Sequence, residues 1–344
     1  MVLYAIMLNP GHNRVYFEEA KKQCLNEFEI ISKKLSAEIS EIAVKPLAGV
    51  FYLFFFSGTR LEDSDLISVA KASFFYALFE MKEKALYPVE IPNFRYMDES
   101  LASMLKYAGK TNEIFTRMLL NLAFFSLPQP VKPLKVFDPL AGKGTTLFEG
   151  ASLGYDVYGM EVGEKITLET YNFFRKYLEK AKYKHETAIE RVSGPNKSFK
   201  AVKYLISYSK DKEEYKNKAV KQFEIVSCNS MYALQIFKKN FFDIIAGDLP
   251  YGVQHSSTTN ENRSSFTRSP KELLLNCLPA WRGVLKPGGV MVLSWNAFVL
   301  DRSELLSLLS ANDFTAFEGG VYDSFEHRVD QAIKRDVIIA VCSK

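Results

Sequence analysis

The chain has 344 residues, 47% of them apolar and 24% charged, the proportions of a globular protein long enough for two domains. No apolar run reaches the roughly 18 residues of a membrane helix. MVLYAIMLNP has neither a basic leader nor a small-residue cleavage site, so no membrane contact and no signal peptide are expected. Net charge is only +4, yet residues 182–221 hold 11 Lys or Arg against 5 Asp or Glu, which points to a polyanion partner at that stretch. Cys24, Cys228, Cys277 and Cys342 stand apart without a CxxC pair, which argues against a disulfide framework and a structural zinc site. A cytoplasmic setting and no metal are the expectation.

Residues 1–90 read as a small α+β domain. VLYAIML is strand-like. VYFEEAKKQCLNEFEIISKKL has helical spacing, with Phe17, Cys24, Phe28, Ile31 and Leu35 recurring at threes and fours. EISEIAV and GVFYLFFF follow as strands. Asp63 or Ser64 caps a helix expected to run to about Glu83. Residues 91–134 read as a linker, with Pro92 and a polar stretch, followed by a leading helix.

From residue 135 to 344 the pattern becomes strand–helix units. LKVFDP, YDVYGMEV, FEIVSCN, FFDIIAGD, GGVMVLSW, TAFEGGVYD and RDVIIAVCS are the expected strands. Apolar strands separated by helices predict a Rossmann-like, seven-stranded α/β sheet covered on both faces, with an antiparallel pair at its end. Residues 182–221 exceed one crossover and read as a basic insertion, partly helical from about Lys210. Its Tyr183, Phe199, Tyr204, Tyr208 and Tyr215, interleaved with lysines, suit an RNA backbone and splayed bases, and equally a solvated lysine-rich surface.

FDPLAGKGTT directly follows the first of these strands. A triphosphate loop requires G-x-x-x-x-G-K-[ST], but Lys143 is followed by Gly144 and no glycine opens the pattern. Gly142 and Gly144 instead permit positive φ and a close ligand approach, and Thr145 opens a short helix ended by Gly154. Glu161 lies 19 residues after Gly142, where a nucleoside-binding αβ unit carries its ribose-binding acid. A plain βαβ turn with an exposed Glu is the other reading of the same residues.

FFDIIAGDLPYG ends a fully apolar strand in Asp248-Leu249-Pro250-Tyr251. In an open parallel sheet that strand end faces the ligand crevice. A carboxylate acceptor, a rigid Pro turn and an aromatic ring suit a nucleobase carrying an exocyclic amino group. The same tetrapeptide also serves as a simple tight turn.

DPLAGKGTTLFE, GMEV and DLPYG, in this order, resemble the class I S-adenosylmethionine-dependent amino-methyltransferases, with their D-P-x-x-G-x-G loop and [DNS]-[LP]-P-[YF] turn. Within that class the chain is similar to the RNA guanine-N2 methyltransferases often fused to a THUMP domain. KYAGKTNEIFTRMLLNLA and FEHRVDQAIKRDVIIAV match the helix before their first motif and their last hairpin, so the likeness covers about residues 100–344. It implies S-adenosylmethionine as cofactor and RNA, above all tRNA, as partner.

By position in those motifs, Asp138, Ala141, Gly142 and Gly144 would shape the methionine end of the cofactor pocket, with Thr145 and Thr146 at the helix start. Thr111 and Asn112 would reach the cofactor carboxylate, and Glu161 the ribose. Asn229 stands where such enzymes often place an Asp toward adenine, and Leu249 replaces the commoner Pro. Asp248, Pro250 and Tyr251 would be catalytic. Leu249, Tyr251, Arg263 and Arg268 would meet substrate, the two arginines from a capping loop at 254–270.

The N-terminal order resembles the ferredoxin-like part of the same enzymes without a full THUMP domain, and dimerisation is its alternative role. Two further readings remain open from sequence. One is a DNA adenine-N6 or cytosine-N4 methyltransferase using the same turn. The other is a cofactor-bound RNA-binding protein without turnover.

Overall fold

A computed structural model describes residues 1–9, 17–105, 110–129, 133–252 and 269–343. The first sheet is built from β1 (Val2–Leu8), α1 (Phe17–Ser32), β2 (Ile39–Leu47), β3 (Val50–Ser57), α2 (Asp63–Ala70), β4 (Phe75–Lys82) and β5 (Ala85–Pro88). Its strands are antiparallel in the order β2-β3-β1-β4-β5. Cys24, Phe28 and Ile31 of α1 pack with Ile6, Leu53 and Phe55 of the sheet. The helix expected to reach Glu83 stops at Ala70. FYALFEMK is instead β4, because its aromatic-rich run pairs along β1 from Leu3↔Met81 to Leu8↔Phe75.

After α3 (Ser100–Ser103), α4 (Glu113–Ser126) is capped by Asn112, whose Oδ1 accepts from Ile114 N at 2.8 Å and Phe115 N at 3.3 Å. EIFTRMLLNLAFFS is apolar around most of its circumference, and α4 is accordingly buried between α1 and the second sheet. Asn121 of α4 and Ser73 both donate to the buried Glu27 carboxylate of α1, at 2.8 Å and 2.5 Å, tying the first sheet to the second unit. Burial raises the Glu27 pKa.

The second unit runs through β6 (Lys135–Asp138), α5 (Thr145–Ser152), β7 (Asp156–Glu161), α6 (Glu164–Lys180), β8 (Lys184–Ser193), β9 (Lys200–Ser209) and α7 (Lys212–Lys216). It continues with β10 (Lys221–Ser227), α8 (Ala233–Ile236), β11 (Phe242–Asp248), α9 (Pro270–Val284) and β12 (Leu285–Asn296). α10 (Arg302–Ser310), β13 (Phe314–Ala316), β14 (His327–Arg328) and β15 (Lys334–Cys342) complete it.

Seven strands lie in the order β10-β7-β6-β11-β12-β15-β13, parallel from β10 to β12 and antiparallel at β15 and β13. The expected Rossmann-like, doubly wound sheet is therefore present. It is larger than expected, because β9 and β8 continue it beyond β10 and β14 pairs with β15, ten strands in all. The sixth strand is shorter than TAFEGGVYD: β13 ends at Ala316, and Gly320–Asp323 form a 3-10 turn after left-handed Gly319.

The insertion holds two strands that the sequence reading did not name. KHETAIERVS and KAVKYLISYS form a long antiparallel hairpin, paired from Lys184↔Ser209 to Ser193↔Lys200, with a 3-10 turn at Pro195–Lys197, and α7 is the helical part expected from about Lys210. Phe199, Tyr204 and Tyr208 are buried in the two cores and present no ring to a nucleic acid. Alternation along β9, not charge, explains Tyr204 and Tyr208. The hairpin turn carries Lys197 and Lys200 beside the C-terminal end of β10, and Phe199 stacks on Tyr232 there at 4.6 Å.

Candidate active site

The C-terminal ends of β6, β7, β10, β11 and β12 lie at one end of the parallel sheet, where such folds form their ligand crevice. β6 ends in Asp138, and the chain turns sharply through Ala141-Gly142-Lys143-Gly144 into α5. Ala141 N donates to Met160 O of β7 at 2.9 Å, which locks the turn to the sheet. Gly142 has φ +50° and Gly144 φ +85°. A Cβ at Gly144 would lie 2.7 Å from Thr170 Cγ2, so this left-handed cap of α5 admits glycine alone without displacing α6. At Gly142 a Cβ would meet nothing nearer than Leu140 O at 4.0 Å, so space stays open beside the backbone.

Asp138 is 3% exposed, and Leu140 N donates to its Oδ1 at 2.9 Å. Burial pushes its pKa up to about 7, against the opposing hydrogen bonds of Thr146 and Leu140; the charges of Asp248 and Glu161 push in the same direction as burial. Asp138, Glu161 and Asp248 are the last residues of three parallel strands, β6, β7 and β11, and so lie at the same end of the sheet. Among the described residues none of the three forms an ion pair. Glu161 closes β7 with Oε1 accepting from Gly163 N at 2.8 Å, which leaves Oε2 open. Thr145 is buried at the first turn of α5, and Thr146 is half-buried beside Asp138.

Asp248, the last residue of β11, is held by three hydroxyls. Thr111 donates to Oδ2 at 2.9 Å, Tyr251 donates to Oδ1 at 2.6 Å, and Ser294 of β12 donates to Oδ1 as well. Tyr251 in turn accepts from Arg335 Nε of β15 at 2.6 Å. Burial, with Asp248 beside it, raises the phenol pKa far above its ordinary value, so Tyr251 remains a donor. Asn296 braces the turn from β12, donating from Nδ2 to Tyr251 O at 3.2 Å and to Ala332 O at 3.0 Å.

Of the expected site residues, Asp138, Glu161, Thr111, Asp248 and Tyr251 converge, with Pro250 between the last two. Thr111 meets Asp248. Asn112 and Asn229 are both helix caps: Asn229 Oδ1 accepts from Met231 N at 2.9 Å, at the rim beside half-exposed Met231 and Val162. Leu249 is a correction. It is 1% exposed in the second core, where its side chain meets no substrate, and only its main chain serves the turn, donating from N to Ser294 O at 2.8 Å. Arg263 and Arg268, with most of the capping loop, lie outside the described residues.

Sequence reasoning passed over Ser294, Asn296 and Arg335. The first two had a readable signal, since VLSWN ends an apolar strand in polar residues at the crevice end of the sheet. Arg335 had a weaker one, a basic residue opening an antiparallel strand whose start lies at that same end. Among the described residues no group of three or more His, Cys, Asp or Glu is placed to hold a metal ion, and no helix is long and apolar enough to cross a membrane.

A seven-stranded doubly wound sheet, with a glycine turn after its first strand and acids after its second and fourth, defines a methyltransferase of the Rossmann-like class. Residues 112–283 match UPF0020, RMKL-like, methyltransferase domain, and the chain belongs to that family. No curated protein matches the chain. Among solved structures, TrmN from Thermus thermophilus is 14% identical over 88% of this chain and 59% of its own, with a TM-score of 0.39. An rRNA methylase from Streptococcus thermophilus is 11% identical over 61% of this chain and 87% of its own, with a TM-score of 0.34.

Proposed function

We propose that the protein transfers a methyl group from S-adenosylmethionine to the exocyclic amino group of a nucleobase in RNA, with guanine N2 in tRNA as the target. The observation that carries this reading is Asp248, a carboxylate fixed by three hydroxyl donors at the crevice end of β11 beside the glycine turn. The likeness of DLPYG to the turn of RNA guanine-N2 enzymes supports guanine over adenine.

The residues fit the cofactor. Asp138, Glu161 and Asp248 concentrate negative charge on a ligand bearing a sulfonium and an ammonium group. Glu161 Oε2 is free for ribose hydroxyls, and Gly142 leaves room along the backbone. Bound there, S-adenosylmethionine supplies a methyl group activated by positive sulfur.

The chain then has to position and stabilise. Asp248 Oδ1 accepts from Tyr251 and Ser294, and Oδ2 from Thr111, so Oδ2 retains acceptor capacity for an amino N–H. That bond orients the nitrogen lone pair toward the methyl donor. Positive charge growing on the nitrogen meets a carboxylate already in place, and the same carboxylate can receive the departing proton. Orientation supplies most of the rate.

The test is tritiated methyl transfer to unmodified tRNA, rRNA and DNA in parallel, with nucleoside analysis and Asp248→Ala beside wild type. Label as N2-methylguanosine in tRNA, lost in Asp248→Ala, is the expected result. Label confined to DNA, or none despite measured cofactor binding, would overturn the reading.

A further inference from the structure

Arg335 is a guanidinium whose hydrogen-bonding capacity is mostly unused among the described residues. Other arginines of the second unit are engaged through their forks. Arg117 meets Glu149 through Nε and Glu99 through Nη2, and Arg302 meets Asp336 and Asp323 together with Tyr322 O. Among the described residues, Arg335 engages through Nε alone, on the Tyr251 hydroxyl at 2.6 Å.

Its flat face is also held. Cζ lies 4.2 Å from the Phe115 ring centroid and 5.1 Å from that of Tyr251. Among the described residues its two terminal nitrogens have no hydrogen-bond or ion-pair partner, although the side chain is only half-exposed. A partly desolvated donor fork fixed by two rings is pre-organised for an acceptor.

The fork's location says which acceptor. Tyr251 Oη bridges Arg335 Nε and Asp248 Oδ1 by two bonds of 2.6 Å, which keeps the guanidinium within about 5 Å of the carboxylate. One planar ligand seated there meets an acceptor at Asp248 and a donor fork one phenol away. Guanine carries a matching pair on one edge, the 2-amino donor and the O6 acceptor. Adenine places an amino donor where guanine has O6, and would set donor against donor.

We propose that Arg335 is a specificity-determining residue that reads O6 of the target guanine while Asp248 holds its amino group. The inference rests on the guanine-N2 reading and adds the residue that selects the base.

The probe is the labelled RNA with its target guanine replaced by 2-aminopurine, which keeps the 2-amino group and lacks O6. Wild type prefers guanine by roughly tenfold to a hundredfold in kcat/KM, the range of a good arginine–guanine contact. Arg335→Met keeps an unbranched apolar side chain at this position and removes every donor. Its preference falls to near one, mainly through loss on guanine, with cofactor affinity retained.

Arg335→Lys, which keeps charge and stem, gives an intermediate preference and serves if the methionine variant does not fold. Tyr251→Phe slows both substrates and keeps a preference for guanine. An unchanged guanine preference in Arg335→Met or Arg335→Lys, with both substrates slowed alike, overturns the inference and leaves guanine methylation standing. Absence of guanine labelling by wild type removes both.

Discussion

Asp138→Asn tests the electrostatics of the proposed cofactor pocket most directly. In the cofactor-free protein burial holds the Asp138 carboxyl at about 7, with Asp248 and Glu161 adding to the rise. A cationic cofactor binds the ionised form better. With a midpoint near 7, roughly a tenth of the protein is ionised at pH 6 and nine-tenths at pH 8. Cofactor affinity in wild type therefore strengthens about tenfold across that interval, where the aspartate must be charged to bind. Asp138→Asn removes the dependence and leaves the weaker, acid-side affinity.

Stability changes with the opposite sign. The folded pKa lies above the unfolded value near 4, so the folded state takes up protons between those limits. The stabilising contribution is complete below about 4 and is lost as pH rises to about 7. The interval corresponds to about 4 kcal/mol as an upper bound. Cofactor-free Asp138→Asn is therefore more stable than wild type at pH 8 and about equal to it at pH 4. Calorimetric cofactor titrations and urea unfolding at the two ends of the range measure both effects. The cofactor's own ionisation is common to the two proteins and cancels. Parallel affinity–pH profiles for wild type and Asp138→Asn would refute the reasoning.

Gly144→Ala forces a side chain into left-handed backbone and within 2.7 Å of Thr170 Cγ2; thermal denaturation should show about 1–3 kcal/mol of lost stability, together with weaker cofactor binding. Ser294→Ala removes one donor from Asp248 without touching the glycine turn, and steady-state kinetics should show kcat reduced about tenfold at unchanged cofactor affinity. His327, lowered to about 4 by burial, with Arg335 and Lys22 opposing its charge, is neutral when folded. Its contribution is complete above about 6.5 and is lost as pH falls toward 4, so His327→Gln should flatten the acid side of a urea-unfolding profile by at most about 3 kcal/mol.

The parts of the molecule legible in sequence are those whose function constrains neighbouring residues. A strand ending in a glycine turn, or in Asp-x-Pro-Tyr, must carry its chemistry locally, because backbone direction and side-chain role are set within a few positions. Spacing alone predicts that the glycine turn, Glu161 and Asp248 share one end of the sheet, and the alternation of strand and helix predicts a mostly parallel sheet covered on both faces, without its strand order.

The insertion misled for a physical reason. Lysines alternating with aromatics describe a nucleic-acid surface and a half-buried strand equally well, and the deciding fact is tertiary: β9 pairs along β10, and its Tyr204 and Tyr208 pack against Tyr171 and Phe174 of α6. The same limit hid the clamp on Asp248. Thr111, from before α4, and Ser294, from β12, donate to Asp248 itself, and Arg335 of β15 is linked to it through the Tyr251 hydroxyl, contacts that only the tertiary fold creates. Local pattern thus points to the group proposed to carry the chemistry. The residues that orient it, and in Arg335 the one proposed to select its substrate, are assigned by tertiary adjacency, which joins Thr111 to Asp248 across 137 residues.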